Sequence, residues 1–271
     1  MRARTKMRFT IMGCGSSPGV PRIHGDWGAC NPDNPKNIRK RCSLLVERIG
    51  PNGTTTLVVD TSPDFRQQML SAGVQKLDAV LYTHPHADHI HGIDDLRQYA
   101  LIQRERMPVY ADRPTLDHLH QSFSYCFVTA EGSMYPPICK SHEIHAGEEF
   151  QIEGEGGSIS VLPISQIHGP IHSLAFRFGQ FGYSPDVSDL SDQSADMLEK
   201  LDVWIVDALQ YREHISHFSL SQALRWIERL APKRAILTHM HIPLDYDAVN
   251  AETPDHVEPA YDGMVIEIEV E

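Results

Sequence analysis

Four side chains within six residues, His84, His86, Asp88 and His89, are of the types that bind a first-row divalent cation. Such ions prefer neutral imidazole nitrogens and carboxylate oxygens. The four lie in Leu81-Tyr-Thr-His-Pro-His-Ala-Asp-His-Ile-His-Gly92, between an apolar run that reads as a buried strand (77–81) and a segment that reads as a helix (93–106). One residue separates His84 from His86, so in extended chain both point to the same side. Asp88 and His89 follow after the chain has turned and can face a second point. Four ligands are too many for one catalytic ion that must keep a position open. The spacing therefore predicts two ions. His91, in the same loop, reads as a solvated side chain.

The elements that must position such a centre show a recurring arrangement. Strand-like segments end at Asp60, His84, His168, Asp186 and His239. Strands are expected at 8–12, 42–48, 54–60, 107–110, 158–164, 173–178, 182–186, 201–207, 234–238 and 264–270. An acidic residue such as Asp60 at a strand end can orient a ligand histidine from behind. A helix is expected over 63–73, with Phe65, Met69 and Leu70 on its inner face. Another is expected over 115–127, and an amphipathic one over 218–230 with Leu220, Leu224, Ile227 and Leu230 inward. His118 and His120 read as surface residues. His214 and His217 fall in the loop after the 201–207 strand. The stretch 112–147 is hard to read beyond its helix, and a loop-rich insertion there could line a pocket. The turn-rich Gly13-Cys-Gly-Ser-Ser-Pro-Gly-Val-Pro21 has two readings, a surface turn or a loop whose amides approach an anion. Arg39, Lys40 and Arg41 likewise form either a solvated edge or a phosphate contact.

The 271 residues suffice for one large domain, with 41 % hydrophobic and 22 % charged residues, as in ordinary globular proteins. No apolar run approaches the roughly 20 residues of a membrane span, and the basic start is not followed by the apolar stretch of a signal peptide. Five cysteines without regular spacing do not form a disulfide framework, which suits a reducing cytoplasm. A net charge of −12 argues against a large nucleic-acid footprint.

The His84–His89 motif resembles the signature of the metallo-β-lactamase superfamily. Together with the 13–21 loop, Cys42-Ser43, Tyr183-Ser-Pro-Asp186, His217-Phe-Ser-Leu220 and Leu237-Thr-His239, it resembles the PhnP-type phosphodiesterase branch, from Gly13 to the final strand. The resemblance implies a single α/β domain over 1–271, a four-layer αββα sandwich. It implies that His84, His86 and His168 hold one metal, that Asp88, His89 and His239 hold the other, and that Asp186 bridges both. The ions would be zinc or manganese. Asp88 and His217 are the residues expected to act in catalysis, His217 as proton donor or transition-state stabiliser outside the metal shell. Two ions about 3.5–4 Å apart can hold a hydroxide at neutral pH and clamp phosphate oxygens.

The implied activity is hydrolysis of small cyclic or nucleotide-like phosphate esters. Partners are then a small phosphate-ester or nucleotide substrate, with neither membrane nor nucleic acid, and a homodimer left open. Two alternatives compete. One is a tRNA 3′-processing endonuclease, although only 17 residues separate His168 from Asp186, where those enzymes carry a long arm. The other is a hydrolase of lactones or thioesters. The chain also departs from PhnP-type relatives that hold a structural zinc. Their three cysteine positions fall on Gly25, Trp27 and Cys30, and their histidine position falls on Ile242 with His241 adjacent. The 22–40 loop is therefore expected to be held by packing, with Trp27 as its apolar anchor.

Overall fold

The computed structural model describes residues 5–269, so Val270 of the expected last strand lies outside the described residues. The strands are β1 (Lys6–Gly13), β2 (Ser43–Gly50), β3 (Gly53–Val59), β4 (Ala79–Leu81), β5 (Met107–Ala111), β6 (Cys139–Glu143), β7 (Phe150–Ile152), β8 (Ile159–His168), β9 (Ile171–Phe178), β10 (Phe181–Ser184), β11 (Val203–Asp207), β12 (Arg234–Thr238), β13 (Val257–Pro259) and β14 (Met264–Glu269). The chain divides into two compact units. Among the described residues, one contains 5–12, Ser43–Ser160 and 265–269; the other contains Gly13–Cys42 and Val161–Met264.

In the first unit one sheet runs in the order β14-β1-β2-β3-β4-β5-β6. β2 and β3 form a hairpin closed by Gly50 opposite Gly53. β3, β4, β5 and β6 are parallel, so their carboxyl ends share one edge. β4 is short but wholly buried, as its Ala-Val-Leu sequence requires in a central strand. Helix α1 (Phe65–Ala72) ends at Gly73, whose φ of +67° suits a left-handed cap. Phe65 and Met69 face the core four residues apart, whereas Leu70 is 60 % exposed. One further residue rotates a helical side chain by about 100°, and Gln68 takes the inner place through Ser62 Oγ.

The expected 93–106 helix is broken into shorter pieces. The motif makes its own turn, α2 (Ala87–Ile90); a 3-10 segment (Ile93–Leu96) then leads into α3 (Arg97–Gln103). Gly92 separates them because the chain passes against Thr61 and Ser62, where a Cβ would lie 2.3 Å from the Ser62 carbonyl oxygen. Residues 112–147 provide α4 (Arg113–Ser122), capped by the Asp112 side chain, then α5 (Ser124–Phe127) and the edge strand β6. His118 and His120 are exposed on α4, as expected.

In the second unit the strands run β13-β12-β11-β10-β9-β8. β10 to β13 are parallel, and β9 is antiparallel to both β8 and β10. β8, β10, β11 and β12 therefore point the same way. Helix α6 (Asp192–Leu198) was not legible in the sequence, whereas α7 (Leu220–Leu230) begins at a Ser219/Gln222 capping box. α7 buries Leu220, Ala223, Ile227 and Leu230, leaving Leu224 half-buried. Helix α8 (Tyr246–Glu252) follows β12.

Most amides of the 13–21 loop are committed within the chain, Cys14 N–H to Asp262 Oδ1 among them. Gly15, Ser16, Gly19 and Val20 donate their N–H groups to the carbonyls of Lys40, Met240, Ser16 and Arg39. Two members of the basic knot are likewise committed within the chain. Arg39 is buried and bonded to Asn37 Oδ1, and Lys40 pairs with Asp262. The 22–40 loop packs as expected, with Trp27 against a buried cluster of Val20, Cys30 and Ile242. Burial pushes the Cys30 thiol's pKa up, and its Sγ lies 3.4 Å from the carbonyl oxygens of Ile242 and Leu244.

Candidate metal centre

In the first unit the motif is built on the carboxyl ends of β3 and β4. Asp60 leaves β3 with φ +64°, a conformation that only surrounding structure can impose on a non-glycine residue. Its N–H donates to the Leu81 carbonyl, and its Oδ1 accepts from Thr83 N–H at 2.8 Å. Asp60 Oδ2 takes Thr83 Oγ1–H at 2.8 Å and His89 Nδ1 at 2.7 Å. Burial raises the Asp60 pKa, opposed by His89 and by the bonds from Thr83.

The carboxylate can only accept from His89 Nδ1, so the His89 lone pair is on Nε2. That atom is 3.4 Å from Asp88 Oδ2. Thr83 Oγ1, having donated to Asp60, accepts His84 Nδ1–H at 2.9 Å. His84 Nε2 then faces His86 Nδ1 at 3.0 Å. All four motif residues are gathered, with His86 the exposed member.

In the second unit the candidates sit where parallel strands end, the usual place for ligands in open α/β sheets. His168 is the last residue of β8, which runs four residues beyond the expected strand. Its Nδ1 donates to the Ser216 carbonyl at 2.6 Å, leaving Nε2 as the ligand atom. Asp186 follows β10 and is fixed through its carbonyl, which accepts Ser173 Oγ–H at 2.6 Å. His239 follows β12 with φ +57°.

Asp186 Oδ2 lies 3.7 Å from His168 Nε2 and 3.5 Å from His239 Nε2. Both separations exceed a hydrogen bond. Two donors each about 2.0–2.1 Å from a tetrahedral ion lie about 3.4 Å apart. The donor types, the spacings and the tautomers of His84, His89 and His168, each with its lone pair on Nε2, fit divalent ions.

His217 is the remaining expected residue, and its partner was missed. Asp207, at the end of β11, is fully buried and accepts His217 Nδ1–H at 2.7 Å through Oδ2, which also accepts the Val187 N–H. The strand-end pattern that singled out Asp60 and Asp186 applies equally to Asp207. His217 stacks on His239 with ring centroids 4.5 Å apart. Its Nδ1 is committed to Asp207, so its reactive atom is Nε2. Two histidines left unassigned by sequence are also placed. His214 is exposed, 5.3 Å from the His217 ring centroid, and burial together with His217 and His239 lowers its pKa. His241 is lowered to about 4 by burial first and then by Arg22 and His239.

Residues 55–240 match the β-lactamase superfamily domain. The chain superposes with a TM-score of 0.87 on the crystal structure of a diphosphatase from the PhnP family, with 33 % identity and 98 % of each chain covered. The chain is a metallo-β-lactamase superfamily member of the PhnP-like branch. Its fold class is accordingly the α/β metallo-β-lactamase sandwich, and membership supports a metal-dependent hydrolase.

More distant structures share the fold. Zinc-bound PqqB from Methylobacterium extorquens gives a TM-score of 0.72 at 17 % identity, covering 96 % of this chain and 99 % of that one. The short form of human tRNase Z gives 0.67 at 17 %, covering 97 % and 100 %. A curated relative, the octanoyltransferase of Porphyromonas gingivalis (strain ATCC BAA-308 / W83), is 32 % identical over 263 residues, 95 % of this chain. The chain spans 51 % of that protein's length. Among the described residues no helix is long and apolar enough to cross a membrane.

Proposed function

We propose that this metallo-β-lactamase-fold protein is a dinuclear phosphodiesterase of small phosphate esters. In this reading His84, His86 and His168 hold one ion, Asp88, His89 and His239 hold the other, and Asp186 serves both. The observation that carries it is Asp186 Oδ2, placed 3.7 Å from His168 Nε2 and 3.5 Å from His239 Nε2. A carboxylate at these distances from two imidazole Nε2 atoms suits a shared ligand. The phosphate ester class is supported by the 33 % identical diphosphatase. The chain's −12 charge favours a small substrate over a polynucleotide.

Bound divalent ions, zinc or manganese, would supply Lewis acidity, which makes water nucleophilic near neutral pH and screens phosphate charge. The chain supplies the rest. Asp60 and the Ser216 carbonyl hold His89 and His168 in the tautomer that leaves Nε2 open. Asp207 holds the Nδ1 proton of His217, so a second proton can reside only on Nε2, from which it passes to the leaving oxygen. The stacked His239 ring limits rotation of that imidazole.

A second reading, hydrolysis of an acyl ester or thioester, is favoured by the octanoyltransferase relative, although the matched half need not be the half that carries that activity. The test is a side-by-side assay of the metal-loaded protein on nucleoside diphosphate esters, 2′,3′-cyclic nucleotides, 1,2-cyclic ribose phosphates, a pre-tRNA and an octanoyl thioester. Turnover of a small phosphoester, abolished together with weakened metal retention in Asp186→Ala, is expected. Turnover confined to the thioester or the pre-tRNA overturns the proposal.

A further inference from the structure

The hydrogen-bond polarity around His241 has one solution. Arg22 Nη2 lies 2.6 Å from His241 Nε2, and a guanidinium only donates. Nε2 therefore carries the lone pair, and the ring proton sits on Nδ1. Nδ1 lies 2.7 Å from Ser16 Oγ, so the imidazole donates and the hydroxyl accepts. The Ser16 O–H must then point elsewhere, and among the described residues no acceptor receives it. Ser16 is nevertheless only 2 % exposed. A buried donor left without an acceptor is rare enough in folded proteins to require an explanation.

The surrounding chain holds this orientation from both ends. Asp26 Oδ2 accepts from Arg22 Nη1 at 3.2 Å, and Asp26 Oδ1 accepts the Gly28 N–H at 2.9 Å. Ser16 N–H donates to the Met240 carbonyl, and Met240 N–H donates to the Cys14 carbonyl. Met240 directly follows His239, so the Ser16 hydroxyl is stitched beside the strand end that carries a proposed metal ligand. Donors run in one direction, from the Arg22 cation through the imidazole to the hydroxyl. Each bond polarises the next and strengthens the last O–H as a donor. Such an arm suits a ligand atom that only accepts. A phosphoryl oxygen is that kind of atom.

We infer that Ser16 is a substrate contact that donates to a phosphoryl oxygen, and that His241 and Arg22 are positioning residues acting through it. The identity of the anion rests on the phosphodiesterase reading; the polarity of the relay does not. In this reading the 13–21 loop contacts phosphate through a side-chain hydroxyl.

The metal-loaded protein tests this with inorganic phosphate and a phosphodiester substrate. Ser16→Ala should raise the substrate KM and the phosphate inhibition constant together, about tenfold to a hundredfold, as loss of a hydrogen bond to a charged group does. kcat should change by less than about threefold, and Ser16→Thr should restore both constants. Arg22→Ala should weaken phosphate binding in the wild-type background and have no further effect in Ser16→Ala. Nitrogen-15 NMR of the unsubstituted protein should show His241 protonated on Nδ1, with a shift on phosphate addition that Ser16→Ala abolishes.

An Nε2-protonated His241, or unchanged phosphate binding in Ser16→Ala, overturns the inference. If no phosphoester is hydrolysed, the proposed function fails first, and calorimetric titration with inorganic phosphate still decides. Binding weakened by Ser16→Ala supports the relay, whereas equal or absent binding overturns it. Should Ser16→Ala fail to fold, the tautomer and its phosphate response in the unsubstituted protein carry the decision.

Discussion

Asp60 and Asp207 each end a strand, lie fully buried and accept one imidazole Nδ1–H at 2.7 Å, yet their removal should have different consequences. Asp60 stands behind His89, a proposed ligand. Asp60→Ala should lower divalent metal affinity about tenfold to a hundredfold, as loss of such a support typically does, measurable by competition with a chromophoric chelator. Unchanged affinity would show that His89 does not hold a metal. Asp207 stands behind His217, placed outside the ion shell. His217→Ala should lower turnover by about 10²–10⁴ while elemental analysis still finds two ions per chain. Loss of an ion in that variant would make His217 a ligand, a role its Nε2 is chemically able to fill.

At the scale of elements, the 22–40 loop is held by apolar contact where PhnP-type relatives can hold zinc. Trp27 packs on Val20, Cys30 and Ile242, and burial raises the pKa of the Cys30 thiol. Gly28 closes the arrangement. Its φ is +56°, and a Cβ there would lie 2.8 Å from the Ile242 side chain. One thiol cannot form the four-ligand shell of a structural zinc. Trp27→Ala is therefore expected to speed proteolysis within 22–40 without changing the number of ions bound. A third tightly held ion, lost on Cys30→Ser, would contradict this account.

At the scale of the whole molecule, neither compact unit is a continuous stretch of chain. The first is assembled from three segments and the second from two, so neither can be completed from one contiguous piece. The single domain expected from sequence should therefore unfold in one calorimetric transition at fixed metal loading, and two resolved transitions would show two domains. The candidate ligand motif was legible because its pattern is local. His-X-His-X-Asp-His names its chemistry by residue type and fixes its geometry by a strand followed by one helical turn. The alternation of apolar strands with terminal Asp or His likewise put His168, Asp186 and His239 at strand ends, where they are found. What sequence left open depends on partners far along the chain. Whether the 13–21 amides meet an anion was decided by the carbonyls of Lys40 and Met240. The role of Asp207 depended on His217, ten residues on, and the orientation of the Ser16 hydroxyl on His241, 225 residues away. Local spacing determines which side chains can share a face, but the direction of a proton in a buried hydrogen bond is set only by what tertiary packing brings against it.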